Sequence, residues 1–193
     1  VNRAGSLIAP PIPWKGELRE GVTLSSDRQR WAAAMQPGAL PPNIWVRQEG
    51  EAERRITVSD NLDYSPRFLR NGDLAFVGST NGRNWDLYRI PFDGSTAPQV
   101  LLDREGDIQN PRFSVDERWV AFCDRSVRGQ TDILAHRFGP DSQTVSLVTT
   151  PGTDCHPDIS PDGRWLAYRS DETGANEIFV RPFNAAQDGK WQV

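Results

Sequence analysis

The sequence predicts an all-β fold, a β-propeller built from four-stranded antiparallel blades of about 45 residues. The first observation is a short motif that recurs four times, with its shared alanines 42, 46 and 46 residues apart. The second is turn chemistry of the Asn-Gly and Asp-Gly type between short apolar segments. The third is that no stretch of about a dozen residues keeps helical apolar spacing free of Gly and Pro.

The second strand of each blade carries the clearest repeat. It occupies residues 30–34, 73–76, 118–122 and 164–168. Trp opens three of the four copies, and Ala follows two positions later on the same face of the sheet. Because blades stack face to face, both faces should be apolar, with a small residue between large ones. We therefore expect Trp165 to fill a large site between blades.

The remaining strands repeat around this motif. First strands are predicted at residues 22–24, 66–68, 111–113 and 157–159, and third strands at 43–46, 86–89, 132–135 and 177–180. Fourth strands are predicted at 54–57, 99–102, 145–148 and 190–193. The predicted blades are approximately 22–60, 61–105, 106–152 and 153–193. Residues 1–21 are interpreted as a linker or as part of a preceding blade.

The segment from His156 to Tyr168 resembles the repeat of TolB-type, WD-repeat-like β-propellers. Extended to Val193, it is most similar to the propeller that follows the kinase domain of bacterial serine/threonine kinases. The first and third units depart from this pattern because they lack Pro-Asp-Gly. The resemblance implies closure with six or more blades, so we expect four blades of a larger propeller and a piece of a longer protein. It also favours a bacterial, periplasmic setting.

Composition and motifs exclude several functional classes. The 22 Lys and Arg are interspersed with 26 Asp and Glu, for a net charge of −4, which disfavours nucleic-acid binding. The longest apolar run, 31–35, is far too short to span a membrane. No hydrolase elbow, zincin motif, phosphate loop or kinase signature is present. We predict no catalytic activity, cofactor or metal in this segment; a kinase or peptidase domain would lie outside it.

Two cysteines leave two alternatives open. Cys123 falls late on a second strand and is interpreted as a small core residue, whereas Cys155 lies in a loop between blades. Their spacing fits no zinc motif. A disulfide between neighbouring blades is geometrically conceivable if the protein is exported.

The loops between blades offer the best candidate site. In a four-stranded meander they emerge at the same end as the loops joining second and third strands. Each carries acidic residues, which either serve turn geometry while fully solvated or form an acidic channel mouth that attracts a cation or basic segment. The candidate partner-binding residues are Asp63, Tyr64, Asp107, Gln109, Asn110, Asp154 and His156.

The sequence thus predicts a module for protein–protein interaction or ligand sensing, with a protein or peptide partner on the inter-blade loops and a possible cation at the channel mouth. Such a module could be the sensor region of a bacterial serine/threonine kinase. The alternative is the substrate-gating propeller of a prolyl-oligopeptidase-type serine peptidase. No membrane contact is expected of this segment.

Overall fold

The computed structural model describes residues 16–79, 82, 84–125, 130–183 and 189–193. Across these residues the chain forms sixteen strands in four antiparallel sheets, and the strands of each sheet follow chain order. The predicted all-β architecture of four four-stranded blades is confirmed. Among the described residues, no helix is long and apolar enough to cross a membrane.

The first two blades hold strands β1–β8. Blade 1 comprises β1 (Glu17–Leu24), β2 (Arg30–Gln36), β3 (Asn43–Gln48) and β4 (Arg54–Arg55). Blade 2 comprises β5 (Tyr64–Phe68), β6 (Leu74–Gly78), β7 (Asp86–Ile90) and β8 (Gln99–Leu102). Strand β1 begins inside the range 1–21 that was interpreted as a linker or partial blade, and residues 1–15 lie outside the described part of the chain.

The last two blades hold strands β9–β16. Blade 3 comprises β9 (Asp107–Phe113), β10 (Trp119–Arg125), β11 (Thr131–Arg137) and β12 (Gln143–Val148). Blade 4 comprises β13 (Cys155–Ile159), β14 (Trp165–Ser170), β15 (Glu177–Pro182) and β16 (Trp191–Gln192). All sixteen predicted strands are found, because the period-2 pattern and the turn residues locate the same elements. Each first strand begins two to five residues earlier than predicted, so the placement of Cys155 in a loop is wrong: it is the first residue of β13.

The core consists of three layers, one between each pair of neighbouring blades. Each apolar cluster draws its residues from two successive blades. The small side chains Ala32, Ala75 and Ala121 are fully buried on second strands. Larger residues such as Phe122 fill the space beside them. Since every layer is shared, an internal blade buries both faces only when its neighbours are present.

A recurring hydrogen-bonded turn joins the first and second strands. In blade 3, the Ser114 hydroxyl donates to Asp116 Oδ1 at 2.6 Å, and Asp116 accepts the Arg118 N–H at 3.1 Å. The Trp119 N–H closes the turn by donating to Ser114 Oγ at 3.0 Å. Blade 4 repeats this arrangement, and there hydrogen bonds from Ser160 and Arg164 lower the pKa of Asp162 to about 2.

A bulge interrupts each of the strands β5, β9 and β13 just before its proline. Ser65, Asn110 and His156 have φ angles of 53°, 50° and 54°, in the left-handed region. The register shifts at the same places in the pairing with the second strand. Bulges bend a strand and redirect its side chains, so the residues before the bulge turn toward the loops between blades.

The expectation that Trp165 fills a large site between blades is wrong. Its side chain is 38% exposed and meets the 52%-exposed Trp191 edge to face, with ring centroids 5.7 Å apart. Trp119 holds the equivalent position in blade 3 and packs edge to face on the buried Phe183 of blade 4, at 5.9 Å. The same motif residue therefore lies between blades in one copy and at an exposed face in the other.

Cys123 and Cys155 form a disulfide, which decides between the two alternatives left by the sequence. Both residues are buried, and their Cα atoms lie 5.1 Å apart. Cys123 belongs to β10 of blade 3 and Cys155 to β13 of blade 4. The bond therefore joins two neighbouring blades close to the loops that connect them.

We expect Trp119→Ala to lower the free energy of unfolding by about 2–3 kcal/mol, because it empties a half-buried site between blades. Trp165→Ala should cost only about 1 kcal/mol, since it removes mainly one exposed aromatic contact. Urea denaturation of the 193-residue chain measures both. Equal losses in the two variants would contradict the assignment of Trp119 to an interior layer.

We expect the Cys123→Ser/Cys155→Ser double variant to lose roughly 3–4 kcal/mol of stability, because the disulfide closes a loop between residues 32 positions apart. The measurement is denaturant unfolding of the oxidised parent and the double variant. The reduced parent serves as a control and should match the variant. An unchanged midpoint would mean that blades 3 and 4 remain docked in the unfolded ensemble.

Candidate functional site

The loops after fourth strands and those between second and third strands lie at one end of the blades, the loop end. Backbone hydrogen bonds join the two sets: Asp154 N–H donates to Thr131 O at 2.7 Å, and Ile108 N–H to Trp85 O at 2.8 Å. Of the loops at this end, residues 80, 81, 83 and 126–129 lie outside the described residues. The predicted grouping of the two loop sets follows from the meander topology.

Asp63 is a buried carboxyl group, only 4% exposed, and not the solvated turn residue that one reading of the sequence suggested. Burial raises its pKa to about 6, although a hydrogen bond from Thr57 and the charge of Arg55 act in the opposite direction. A Cβ atom at Gly78 would come within 2.6 Å of Asp63 Oδ1. The carboxyl group therefore occupies space that Gly78 leaves open.

Asp154 is also fully buried. Its Oδ2 accepts the Thr150 N–H at 3.0 Å and the Thr150 hydroxyl at 2.9 Å. Its Oδ1 has no hydrogen-bond partner among the described residues. Asp154 thus serves turn geometry with one oxygen and leaves the other unpaired in a buried position.

Asp107 does not occupy the position equivalent to Asp63 and Asp154. Counted back from the proline of each first strand, that position in blade 3 belongs to the buried Ile108. Asp107 is half-buried, and its Oδ1 accepts the Trp85 N–H at 3.2 Å. The three aspartates predicted to line the channel mouth, Asp63, Asp107 and Asp154, therefore come from two different positions of the repeat.

A row of carboxylates that influence one another runs from blade 2 to blade 4. We name it the acidic row: Asp86, Asp103, Asp107, Asp124, Asp132 and Asp154. Desolvation is the largest cause that raises the pKa of Asp86, of Asp124 and of Asp132. Charges of other members raise these pKa values further. The row includes Asp107 and Asp154 of the predicted site, but Asp63 is not part of it.

The centre of the acidic row is a like-charge pair. Asp124 and Asp132 face each other in the register of β10 and β11. Asp154 raises the pKa of Asp132 from the neighbouring loop. The Oδ1 atoms of all three are buried, and none has a hydrogen-bond partner within the described ranges, which leave out residues 126–129. Directly opposed like charges are destabilising, so this arrangement gives the loop end a concentrated negative potential.

Among the residues that the structure describes, Arg104 pairs with this row. Its Nη2 lies 3.3 Å from Asp124 Oδ2, and its buried Nε finds no hydrogen-bond partner in that part of the chain. Gly106 passes so close that a Cβ there would lie 2.2 Å from Asp124 Oδ1. Nowhere in the described chain do three His, Cys, Asp or Glu side chains converge closely enough to hold a metal ion.

The other predicted site residues lie around the bulges of the first strands. Tyr64 meets Trp85 edge to face, with ring centroids 5.3 Å apart. Asn110 Nδ2 lies 3.5 Å from the sulfur of Cys155, whereas His156 has an exposed side chain. Gln109 is half-buried. The structure places Asn110 and His156 beside the disulfide, whereas Tyr64 of blade 2 packs against the apolar clusters on both sides of that blade.

Sequence reasoning missed four members of the acidic row as site residues: Asp86, Asp103, Asp124 and Asp132. Asp86 and Asp132 lie at the start of third strands, and Asp124 lies at the end of a second strand. The available signal was the polar residue that opens every third strand, namely Asn43, Asp86, Asp132 and Glu177. Asp86 also holds the loop between blades 2 and 3 in place, because its Oδ1 accepts the backbone N–H of Arg104 at 3.1 Å.

We expect Asp63 to make stability depend on pH between about 4 and 6. Its pKa in the folded chain is raised to about 6 from the ordinary 3.8, so the folded state binds more protons and loses stability as pH rises through this window. The loss should be about 2–3 kcal/mol. In the Asp63→Asn variant that part of the pH dependence should vanish in urea unfolding. An identical pH profile in parent and variant would contradict the raised pKa.

No family model matches the sequence. A curated relative, the Tol-Pal system protein TolB of Francisella tularensis subsp. tularensis (strain WY96-3418), is 24% identical over 164 residues, which cover 83% of this chain and 37% of that protein. TolB from Acinetobacter baumannii has a similar structure, with a TM-score of 0.74 and 16% identity over 90% of this chain and 45% of that one.

A puromycin-hydrolyzing peptidase of Mycobacterium tuberculosis also has a similar structure, with a TM-score of 0.69 and 12% identity over 89% of this chain and 28% of that one. The chain therefore spans less than half the length of each of these three proteins. None of the three is described as a kinase. The likenesses and the sheet topology together show that this chain has a TolB-like β-propeller fold and contains four blades.

Proposed function

We propose that this chain is a non-catalytic TolB-like binding module that takes a basic segment of a protein partner at its loop end. The observation that carries the proposal is the acidic row, in which six carboxylates from three blades are offset by Arg104. A basic peptide carries several spaced donors, and these can satisfy separated carboxylates that no single metal ion would reach.

The accessible members of the acidic row would make the first contact. Asp103 is exposed and Asp107 is half-buried, whereas Asp124 and Asp154 are buried. The outer carboxylates can therefore bind guanidinium groups directly. The inner ones strengthen the potential, because charges in a poorly solvated region are weakly screened. Gln109, Asn110 and His156 remain predicted contact residues at the bulges beside this row.

An oligoarginine peptide tests this proposal. The Asp103→Asn/Asp107→Asn double variant should bind it about tenfold more weakly than the parent, since two outer charges are lost while an acceptor oxygen remains at each position. Asp141→Asn removes one charge from a turn joining a third and a fourth strand, where Asp141 pairs with Arg137 at 3.7 Å. This matched control should bind as the parent does.

Isothermal titration calorimetry at low and high salt gives the affinities. Binding to the parent should weaken as the Debye length falls from about 10 Å at 0.1 M salt to about 3 Å at 1 M. Equal affinity of the double variant and the parent would overturn the acidic row as the binding surface. A similar loss of affinity in Asp141→Asn would mean that the peptide responds only to the net charge of the chain.

The second candidate is the substrate-gating propeller of a prolyl-oligopeptidase-type peptidase. The likeness to a puromycin-hydrolyzing peptidase, at a TM-score of 0.69, favours it. A gate needs a catalytic domain on the same chain, so the sequence of the gene on both sides of residues 1–193 separates the two candidates. A Gly-x-Ser-x-Gly elbow there would support the gate. A kinase domain upstream would instead support the sensor role that the sequence predicts.

The disulfide and the TolB likeness both favour a location outside the cytoplasm. Disulfides persist in oxidising compartments and are rare among cytosolic proteins. The bond between Cys123 and Cys155 is buried and joins two blades, as a structural bond does. The proposed partner would then meet the loop end in the periplasm or beyond it.

A further inference from the structure

The end of the blades opposite the loop end holds a pocket of about 500 Å³. Its frame is made by the last residues of three successive first strands, Leu24 of β1, Phe68 of β5 and Phe113 of β9. The turns that follow these strands complete the wall. The pocket thus spans blades 1, 2 and 3 at the end where the sequence placed no candidate site.

Two arginines, Arg30 and Arg70, line this pocket. Hydrogen bonds from Ser25 and Gln29 lower the pKa of the exposed Asp27, and the charge of the nearby Arg30 lowers it further. Within the described part of the chain, neither Arg30 nor Arg70 forms an ion pair. Glu117 is the acidic residue of the lining, and its carboxylate accepts the backbone N–H of Arg70. The lining therefore carries two positive charges and one negative charge, 2 − 1 = +1, in a chain whose net charge is −4.

The guanidinium of Arg30 is held in a fixed place. It lies over the rings of Phe68 and Phe92, 5.6 and 5.2 Å from their centroids. The glycine at position 72, with a φ of +89°, leaves room for it, because a Cβ there would lie 3.1 Å from Arg30 Nη1. Because the two ring centroids are only 5.9 Å apart, both rings lie to one side of the guanidinium. The N–H donors of a guanidinium lie in its plane. Those donors have no protein acceptor among the described residues, and they suit an oxyanion.

Arg70 supplies a second donor group across the pocket. Its Nη1 donates to Val115 O at 3.2 Å, which ties the arginine of blade 2 to the turn of blade 3. Glu117 anchors the backbone of the same residue from a left-handed conformation, with a φ of 57°. In blade 4 this turn position is held by Gly163. In blade 1 the same position is held by Arg28, with a φ of 60°, so this turn accepts a non-glycine residue in two blades.

We propose that this pocket binds an organic monocarboxylate, with the carboxylate between Arg30 and Arg70 and the apolar body against Leu24, Phe68 and Phe113. A planar carboxylate matches the guanidinium fork, and one negative charge matches the net charge of the lining. The volume suits a small ligand or the C-terminal residue of a peptide. This site is separate from the acidic row and does not depend on the function proposed there.

The test compares charged and neutral probes of one shape. Benzoate should shift the backbone amide resonances of Gly72 and Val115 in NMR titrations of the chain, and benzamide should not. N-acetylphenylalanine, which mimics a peptide C terminus, is the second carboxylate. Tighter binding of N-acetylphenylalanine than of benzoate points to a peptide source, and the reverse points to a free acid; either order supports the site.

Arg70→Gln should weaken benzoate binding about tenfold. Arg30→Gln should abolish the saturable shift. Arg70→Gln keeps the test valid if loss of the contact of Arg30 with the rings of Phe68 and Phe92 impairs folding. The matched control is Arg118→Gln, which removes an exposed charge from the adjacent turn, where Arg118 pairs with Asp116 at 3.9 Å. Its benzoate affinity should equal that of the parent.

Several outcomes would overturn the proposal. Equal shifts with benzoate and benzamide would mean that the charge is not recognised. An equal loss in Arg118→Gln and Arg70→Gln would mean that only the general surface charge acts. Inorganic phosphate binding as tightly as benzoate would exclude an organic monocarboxylate as the preferred ligand. Binding of the oligoarginine peptide at the loop end should be unchanged in Arg70→Gln, so the two sites can fail separately.

Discussion

The stacking of blades face to face is the constraint on which the rest of this structure depends. Each internal sheet has two apolar faces, and each apolar cluster is shared by two blades. Close approach of the sheets requires small residues at their centre, and Ala32, Ala75 and Ala121 are completely buried there. The strands in the middle of a blade cannot move without opening a layer. The four blades therefore differ from one another mainly in the loops and turns at their two ends.

Acidic side chains have different surroundings at the two ends of the blades. At the end opposite the loop end, Ser and Asp side chains accept hydrogen bonds from the backbone of the tight turns, as Ser114 and Asp116 do in blade 3. At the loop end, buried carboxyl groups such as Asp63 and Asp154 occupy the space between blades. Turn carboxylates are exposed and hydrogen-bonded, which lowers the pKa of Asp162, whereas burial raises the pKa of Asp63. The position of an aspartate in the fold thus decides whether its pKa is raised or lowered.

The disulfide constrains the interface between blades 3 and 4. Cys123 and Cys155 are next to Asp124 and Asp154 in the chain. The bond therefore holds two buried carboxylates of different blades in place. Without it, repulsion between Asp154 and the neighbouring Asp132 would favour separation of the loops. The disulfide therefore adds to the packing of the blades in opposing the repulsion between the carboxylates of the loop end.

The sequence by itself determined the strands, their order and the number of blades, because alternating apolar residues and Ser-Asp or Gly turns are local signals that repeat every 42 to 46 residues. It also indicated which end would gather loops. Only the tertiary structure decided that Trp119 packs between blades while Trp165 is exposed, because that depends on which neighbour covers each face. It alone opposed Asp124 to Asp132 and brought Arg30 and Arg70 to one pocket, since these residues meet through strand register and blade stacking rather than along the chain.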